Sequence, residues 1–438
     1  MKIRSNIDPN LRETTHSYFK LMGYFGKPSK QINDEVVGIL EYREGLGFLE
    51  TMPPIYKQCD DKRFQIESDK DGVLYGYLED NTYIRLNKFR TSGYKRNLPG
   101  LATIHYIITD LDLSKKSFDE LNMNKINHAI VEFDALSQYA AFITPNPEEL
   151  SKNNEKVPFQ VGDTENVTLY LSYEWQKKGN RISYNYECKV ELEIWPKNEN
   201  VEIKQICNKI KKFLSILDDS PINIISIRFI DKDKNSLFTN LHYSNFTEQN
   251  SSKRFENALY SNLNFDNYKQ NLPNIVKNVI NSDVQFNRLV QNYIYNINAQ
   301  LTPDSALINY VNSVDIYMHG AKYSNGKVIQ DLTSKIKFWL KKLPDELYGI
   351  FFDKDKKNAQ DIFRSNFIQS LVDTRDYLTH YDKQNSPYLL KNQAKEIKYA
   401  RVFRTIIHVF LLFSYGVPAK FIKNDYEGIN FQDYLNAD

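Results

Sequence analysis

The sequence predicts an α+β chain of two domains, a β-rich sandwich- or barrel-like N-terminal domain followed by a bundle of α-helices. Two changes of pattern predict it. Up to about residue 245 apolar residues alternate with polar ones at a period of two, and beyond it they recur at three and four. Between the regimes, Tyr243 to Arg254 is polar and rich in Asn and Ser. The boundary is therefore placed there, with 1–245 as the β-rich domain, 246–284 as a helical connector and 285–438 as the helical domain. The length of 438 residues agrees, since a domain takes roughly 150.

In the first half, Val36 to Tyr42, Val73 to Leu78, Tyr83 to Leu86, Ile104 to Ile108 and Ala129 to Phe133 are short β-like stretches at turn-separated intervals. Val167, Leu169, Leu171, Tyr173 and Trp175 alternate with polar residues, and Ile182 to Ile194 does the same beyond the Gly179-Asn180 turn. That pair predicts a long antiparallel hairpin with one buried face. Ile206, Ile210, Phe213, Leu214 and Leu217 recur at helical spacing, and Asp218 to Pro221 stops that helix before the apolar strand Ile222 to Ile230. In the second half the spacing predicts helices over Leu272–Ala299, Ser305–His319, Val328–Lys342, Asn358–His380 and Asn392–Tyr415, the last closed by Gly416 and Pro418.

Composition narrows the function. Hydrophobic residues at 41%, aromatics at 13% and charged residues at 26% describe an ordinary folded chain, not a disordered or fibrous one. Fifty-seven basic against 55 acidic side chains leave a formal +2, so a nucleic-acid partner has to be met by a local patch. Cys59, Cys188 and Cys207 are odd in number and show no CxxC spacing, which argues for a reducing compartment and against zinc or iron–sulfur ligation. The N-terminus has no apolar core of a signal peptide, and the longest apolar run, Ile406 to Phe413, is far below the ~20 residues that span a bilayer. The expected location is cytoplasmic, with no membrane partner.

Several motifs fail. Asp231 to Asn235 and Asp353 to Asp355 begin like calcium loops but lack the Gly and the Glu such loops need, so both predict solvated turns. No GxGxxG, Walker loop, GxSxG or HExxH occurs, and His105 and His128 sit in apolar β-like surroundings as expected core histidines. The remaining constellation is Arg375-Asp376-Tyr377-Leu378-Thr379-His380 at the end of a predicted helix. Asp376 and His380, four apart, share a helix face, so the carboxylate can hold the imidazole in one tautomer. Arg375 and His380, five apart, point well over 100° from one another at ~100° per residue. A single chain does not converge them on one phosphate, whereas two copies across a symmetric interface do. Histidine then moves a proton and arginine clamps the phosphate. The bland alternative is a helix end carrying a His near its negative pole, with Arg375 paired to Asp373 or Asp376. The second Arg–His pair, Arg401 and His408, lies in an apolar helix and is expected to be structural. Lys391, Lys395 and Lys398 on one stripe, Lys354, Lys356 and Lys357 ahead of the motif helix, and the stacking aromatics Tyr377 and Tyr381 form a candidate RNA path.

The run Arg375 to Asp382 within C-terminal helices resembles the active motif of HEPN domains, and most closely its form in ApeA-like anti-phage proteins. The resemblance implies a β-rich sensor or targeting domain followed by an α-helical HEPN bundle. It implies a metal-independent endoribonuclease without cofactors, acting as a homodimer or higher oligomer through its HEPN half, cutting RNA (often tRNA) in abortive-infection defence and released by an unidentified phage-derived trigger. Arg375 and His380 take the two catalytic positions and Asp376 the polar position after the Arg, which is often Asn. The competing readings are a non-enzymatic ligand-binding module with a helical dimerisation bundle, and the HEPN half of a toxin–antitoxin pair.

Overall fold

A computed structural model gives the structure of the chain and describes residues 18–26, 35–43, 45–52, 73–97, 101–121, 125–134, 136–140, 157–179, 184–198, 201–242, 263, 265, 267–299 and 301–436. The polar stretch at 243–254, Cys59, Asn180 of the hairpin turn and the side chains of Trp175 and Cys188 lie outside the described residues. The described residues fall into two compact units. One is drawn from Met1–Ser137, Thr144–Cys207 and Asn223–Arg254, the other from Gln138–Ile143, Asn208–Ile222 and Phe255–Asp438.

The first unit is β-rich. Its first six strands are β1 (Phe19–Gly26), β2 (Val36–Arg43), β3 (Leu46–Met52), β4 (Leu74–Leu78), β5 (Tyr83–Asn97) and β6 (Leu101–Ser114). They pair antiparallel in the order β3-β2-β1-β4-β5-β6, and β3 then bonds β6 from Gly47↔Ile108 to Thr51↔Ile104, closing a barrel. Inward residues at every second position fill it: Phe19, Leu21 and Phe25 of β1, Leu40 and Tyr42 of β2, Ile84 and Leu86 of β5. Packing is tight enough that Gly76 of β4 has no room for a side chain, because an added Cβ would stand 2.6 Å from the Phe25 ring and 2.8 Å from Ile84.

The strands β5 and β6 run well beyond the alternating cores at Tyr83–Leu86 and Ile104–Ile108. Register shifts between Leu86 and Phe89 and between Thr91 and Gly93 break the period of two while the ladder continues. That extra length lets β6 serve two pairings, with β3 on its first half and with β12 (Ser236–His242) from Asp110↔His242 to Leu113↔Thr239. The sheet continues from β12 through β11 (Ile224–Asp231), β7 (Ile126–Phe133), β10 (Tyr184–Pro196), β9 (Val167–Gly179) and β8 (Val157–Asp163), and β9 with β10 is the expected long hairpin. A polar network ties β5, β6 and β12: Arg85 donates through Nε and Nη2 to Asp112, and Nδ2 of Asn240 donates to Asp110 and Asp112, each at 2.6 Å. Buried carboxylates require such donors.

His128 is a core histidine, stacked on Trp195 with ring centroids 4.1 Å apart, and burial pushes its imidazole below the usual range. His105 is not. It lies on the outward phase of β6, its side chain is 41% exposed, and Nδ1 sits 3.9 Å from Glu50, because Tyr106 and Ile108 take the inward positions. The Asp231–Asn235 segment is the expected exposed turn, with Lys234 left-handed and the Asn235 N–H donating to Asp231 Oδ1.

The helices are α1 (Leu136–Ala140) and α2 (Ile203–Leu217), then α3 (Leu272–Ile280), α4 (Val284–Asn298), α5 (Pro303–Tyr317), α6 (Leu332–Leu340), α7 (Asp345–Tyr348), α8 (Ile362–His380), α9 (Gln393–Tyr415), α10 (Ala419–Asp425) and α11 (Phe431–Asn436). Capping explains their limits. The expected single helix over 272–299 is two, because the Asp283 carboxylate accepts from the Phe286 N–H and starts α4 anew. Asp331, Asp361 and Asn392 cap α6, α8 and α9 in the same way, and Gly416 closes α9 at φ 96°. The helix expected over Val328–Lys342 starts at Leu332 for that reason, while Val328 pairs with Lys322 in an isolated bridge.

Helix α5 packs against α4, α6, α8 and α9. Helices α4 and α9 run antiparallel, with Phe286 5.0 Å from Tyr415 and Tyr293 5.8 Å from His408 between ring centroids. Trp339 of α6 is fully buried against Phe403 and Phe410 of α9. At the starts of α5 and α9, Asp304 and Glu396 share a hydrogen bond. Partial burial, that bond and the neighbouring negative charge push the Glu396 carboxyl up to about 7.

Candidate active site

Helix α8 changes character along its length. Phe367, Ile368, Leu371 and Val372 are buried, so its first turns belong to the core; Arg375 to Leu378 are half-buried, and Thr379 and His380 are exposed. The buried run ends at Thr374, and Tyr381 terminates the helix in the left-handed region at φ 58°. The motif thus begins at the margin of the packed bundle and ends in solvent.

Arg375 is held at two points. Its Nε donates to Oδ1 of Asn312 on α5 at 3.0 Å, and Nη1 donates to Oδ1 of Asp376 at 2.8 Å. Asp373 is engaged elsewhere, accepting from Gln369 and from the Ser386 hydroxyl. The Asp376 carboxylate therefore sits on the guanidinium and not on the imidazole, and His380 has no partner among the described residues. Arg375 and Asp376 line a cavity of about 300 Å³, which His380 does not. Its charged lining sets four carboxylates, Asp315, Asp331, Asp373 and Asp376, against three cations, Lys335, Arg375 and Lys383. Lys335 is already paired with Asp315 at 2.5 Å. Within one chain the cavity is thus not an electropositive hole for phosphate.

Tyr377 and Tyr381 meet edge to face, with centroids 5.8 Å apart, and Tyr381 is 74% exposed. The expected lysine stripe is only partly present: Lys391 precedes the Asn392 cap, so Lys395 and Lys398 alone of the three are on α9, and Lys398 lies over the Tyr434 ring at 5.7 Å. Of the lysines ahead of α8, Lys357 is committed to the Leu343 carbonyl and to Asp345, and Lys356 to Asp353. Among the described residues no group of three or more His, Cys, Asp or Glu is arranged to hold a metal ion, and no helix is long and apolar enough to cross a membrane.

The second Arg–His pair is built into the core. His408 Nε2 donates to the Ile216 carbonyl and Nδ1 accepts from the Tyr426 hydroxyl, both at 2.6 Å, and the ring stacks on Tyr293. Burial pushes the Tyr426 phenol up, so it remains a donor and fixes that tautomer. Asn312, Lys335 and Lys383 carry no motif in the sequence, and α5 brings Asn312 to Arg375 from 63 positions earlier in the chain.

A closed β-barrel domain ahead of a helical bundle that offers Arg and His from the end of one helix defines a HEPN-type protein. Family models agree: residues 20–279, more than half of the chain, match the ApeA N-terminal domain 1, and residues 288–421 match the Apea-like HEPN domain. The chain belongs to the ApeA-like HEPN family. Comparison with curated proteins and with solved structures finds no match.

Proposed function

We propose that the protein is a metal-independent HEPN endoribonuclease of anti-phage defence, with tRNA the first candidate substrate. Residues 1–245 would act as the sensor or targeting domain, 246–284 as the connector and 285–438 as the catalytic domain. The observation that carries the reading is the setting of Arg375, tethered from α5 and α8 on a cavity wall, with the unpaired and exposed His380 five residues on. His380 supplies proton transfer, and the guanidinium stabilises the charge that grows on the phosphate during cleavage. The excess of carboxylates around Arg375 supports a site completed by a second copy, which brings its own His and Arg to the shared cleft.

The specific observation favouring the non-enzymatic reading is the Arg375–Asp376 pair, which a purely structural helix end would also make. The test separates the two. In the full-length protein, His380→Ala and Arg375→Ala should each lower RNA cleavage about 10²-fold or more, the usual share of a general acid–base or phosphate-binding group, with unchanged melting. Cleavage should persist in EDTA. Wild-type cleavage by both variants, or loss in EDTA that magnesium restores, would sink the assignment.

A further inference from the structure

A guanidinium has five N–H donors in one plane, and what it can offer a phosphate depends on which of them are already engaged. In Arg375 the Nε proton goes to Asn312 and an Nη1 proton to Asp376, while Nη2 has no partner among the described residues. The Asn312 amide has its orientation fixed by chemistry, since arginine only donates and the amide oxygen must face it. Three residues further along α5, Asp315 accepts from Lys335, a half-buried cation of the same cavity. One face of α5 thus sets two of the cations that line it.

We propose that Asn312 is a positioning residue: by accepting from Nε it locks the plane of the Arg375 guanidinium and keeps Nη2 available for a phosphate oxygen. This rests on the ribonuclease reading above. An amide suits the task better than a carboxylate. It holds Nε without adding a negative charge to a cavity whose carboxylates already outnumber its cations. Asp376 alone, adjacent in sequence, grips only Nη1 and leaves rotation about the distal bonds of the side chain open.

The test is steady-state cleavage of RNA by the full-length protein, comparing wild type, Asn312→Leu, Asn312→Asp and Arg375→Ala, with melting measured on each. Asn312→Leu removes the acceptor at similar size and should lower kcat roughly 10- to 100-fold, the effect of a slightly misplaced catalytic group, with KM and melting near wild type. Asn312→Asp restores the acceptor but adds charge, so it should recover most of kcat while raising KM, more so at low salt. If Asn312→Leu keeps wild-type kcat while Arg375→Ala is inactive, the positioning role is overturned and the ribonuclease reading stands. A kcat loss in Asn312→Leu that follows the unfolded fraction, or that Asn312→Asp does not relieve, also overturns it. If Arg375→Ala cleaves like wild type, or the wild type cleaves no RNA, both readings fall together.

Discussion

Replacing His408 by alanine should cost several kcal/mol more than replacing His380. The imidazole joins three elements, donating to the Ile216 carbonyl in the last turn of α2, accepting from Tyr426 beyond α10, and stacking on Tyr293 of α4. His408 is 4% exposed, so truncation leaves a buried carbonyl and a buried hydroxyl without partners, each costing about 1–3 kcal/mol. A cavity term adds to this, as it does for other large-to-small core changes of about 2–5 kcal/mol. These contributions share one network and do not sum, so about 3–5 kcal/mol is expected. His380 is exposed and unpaired, and its truncation should cost about 0.5 kcal/mol or less. Circular dichroism at 222 nm through a urea titration reads the helical unit, and at 2–4 °C per kcal/mol the thermal shift for His408→Ala is on the order of 10 °C. RNA cleavage should fall only with the folded fraction. Should His408→Ala melt within 1–2 °C of wild type, or His380→Ala melt as early as His408→Ala, the division between a structural and a chemical histidine is refuted.

Gly76→Ala should destabilise the barrel by about 1–3 kcal/mol, the range for overpacking, because its Cβ would meet Phe25 and Ile84 below contact distance; an unchanged melting point would show that β4 yields freely. The Glu396 carboxyl is raised in the folded state, so the fold binds more protons than the unfolded chain between the ordinary carboxylate range and about pH 7, and stability should fall as pH rises through that window. Glu396→Gln should therefore melt higher than wild type at pH 8 and match it near pH 4; identical pH profiles for the two proteins would remove the Asp304–Glu396 pair as the cause. Sedimentation of the full-length protein at micromolar concentration should give a dimer or larger assembly, and a monomer with full RNA cleavage would rule out a site shared between copies.

The fold was legible where one period ran unbroken. The β9–β10 hairpin follows directly from alternation and the limits of α9 from Asn392 and Gly416, whereas the helix expected from Asn358 starts at Ile362, behind the Asp361 cap. The reading stopped early where the chain changes phase without leaving its element. In β5 the bulges after Leu86 turn a fifteen-residue strand into what looks like a short strand and a polar tail. Between α3 and α4 the opposite error arises, since apolar spacing carries across Asn281 to Asp283 while the Asp283 cap divides the helix. Barrel closure was out of reach for a different reason. It depends on β3 meeting β6 across more than fifty residues, and no local pattern encodes that pairing.

The site divides along the same line. Arg375 and His380 are visible as a motif because both belong to one helix, and their spacing already shows that one chain does not bring them together. What the motif cannot show is how the guanidinium is occupied. Helical spacing suggested that Asp376 would serve His380 four residues on, yet Asp376 turns to its immediate neighbour Arg375, while the imidazole lies at the exposed end of α8. The second tether comes from Asn312, on a helix chosen by tertiary packing of α5 against α8. A single carboxylate beside the arginine would leave a neutral, swivelling pair. A carboxylate and an amide together hold Nη1 and Nε and leave Nη2 free, which is the condition a phosphate clamp must meet before any partner chain arrives.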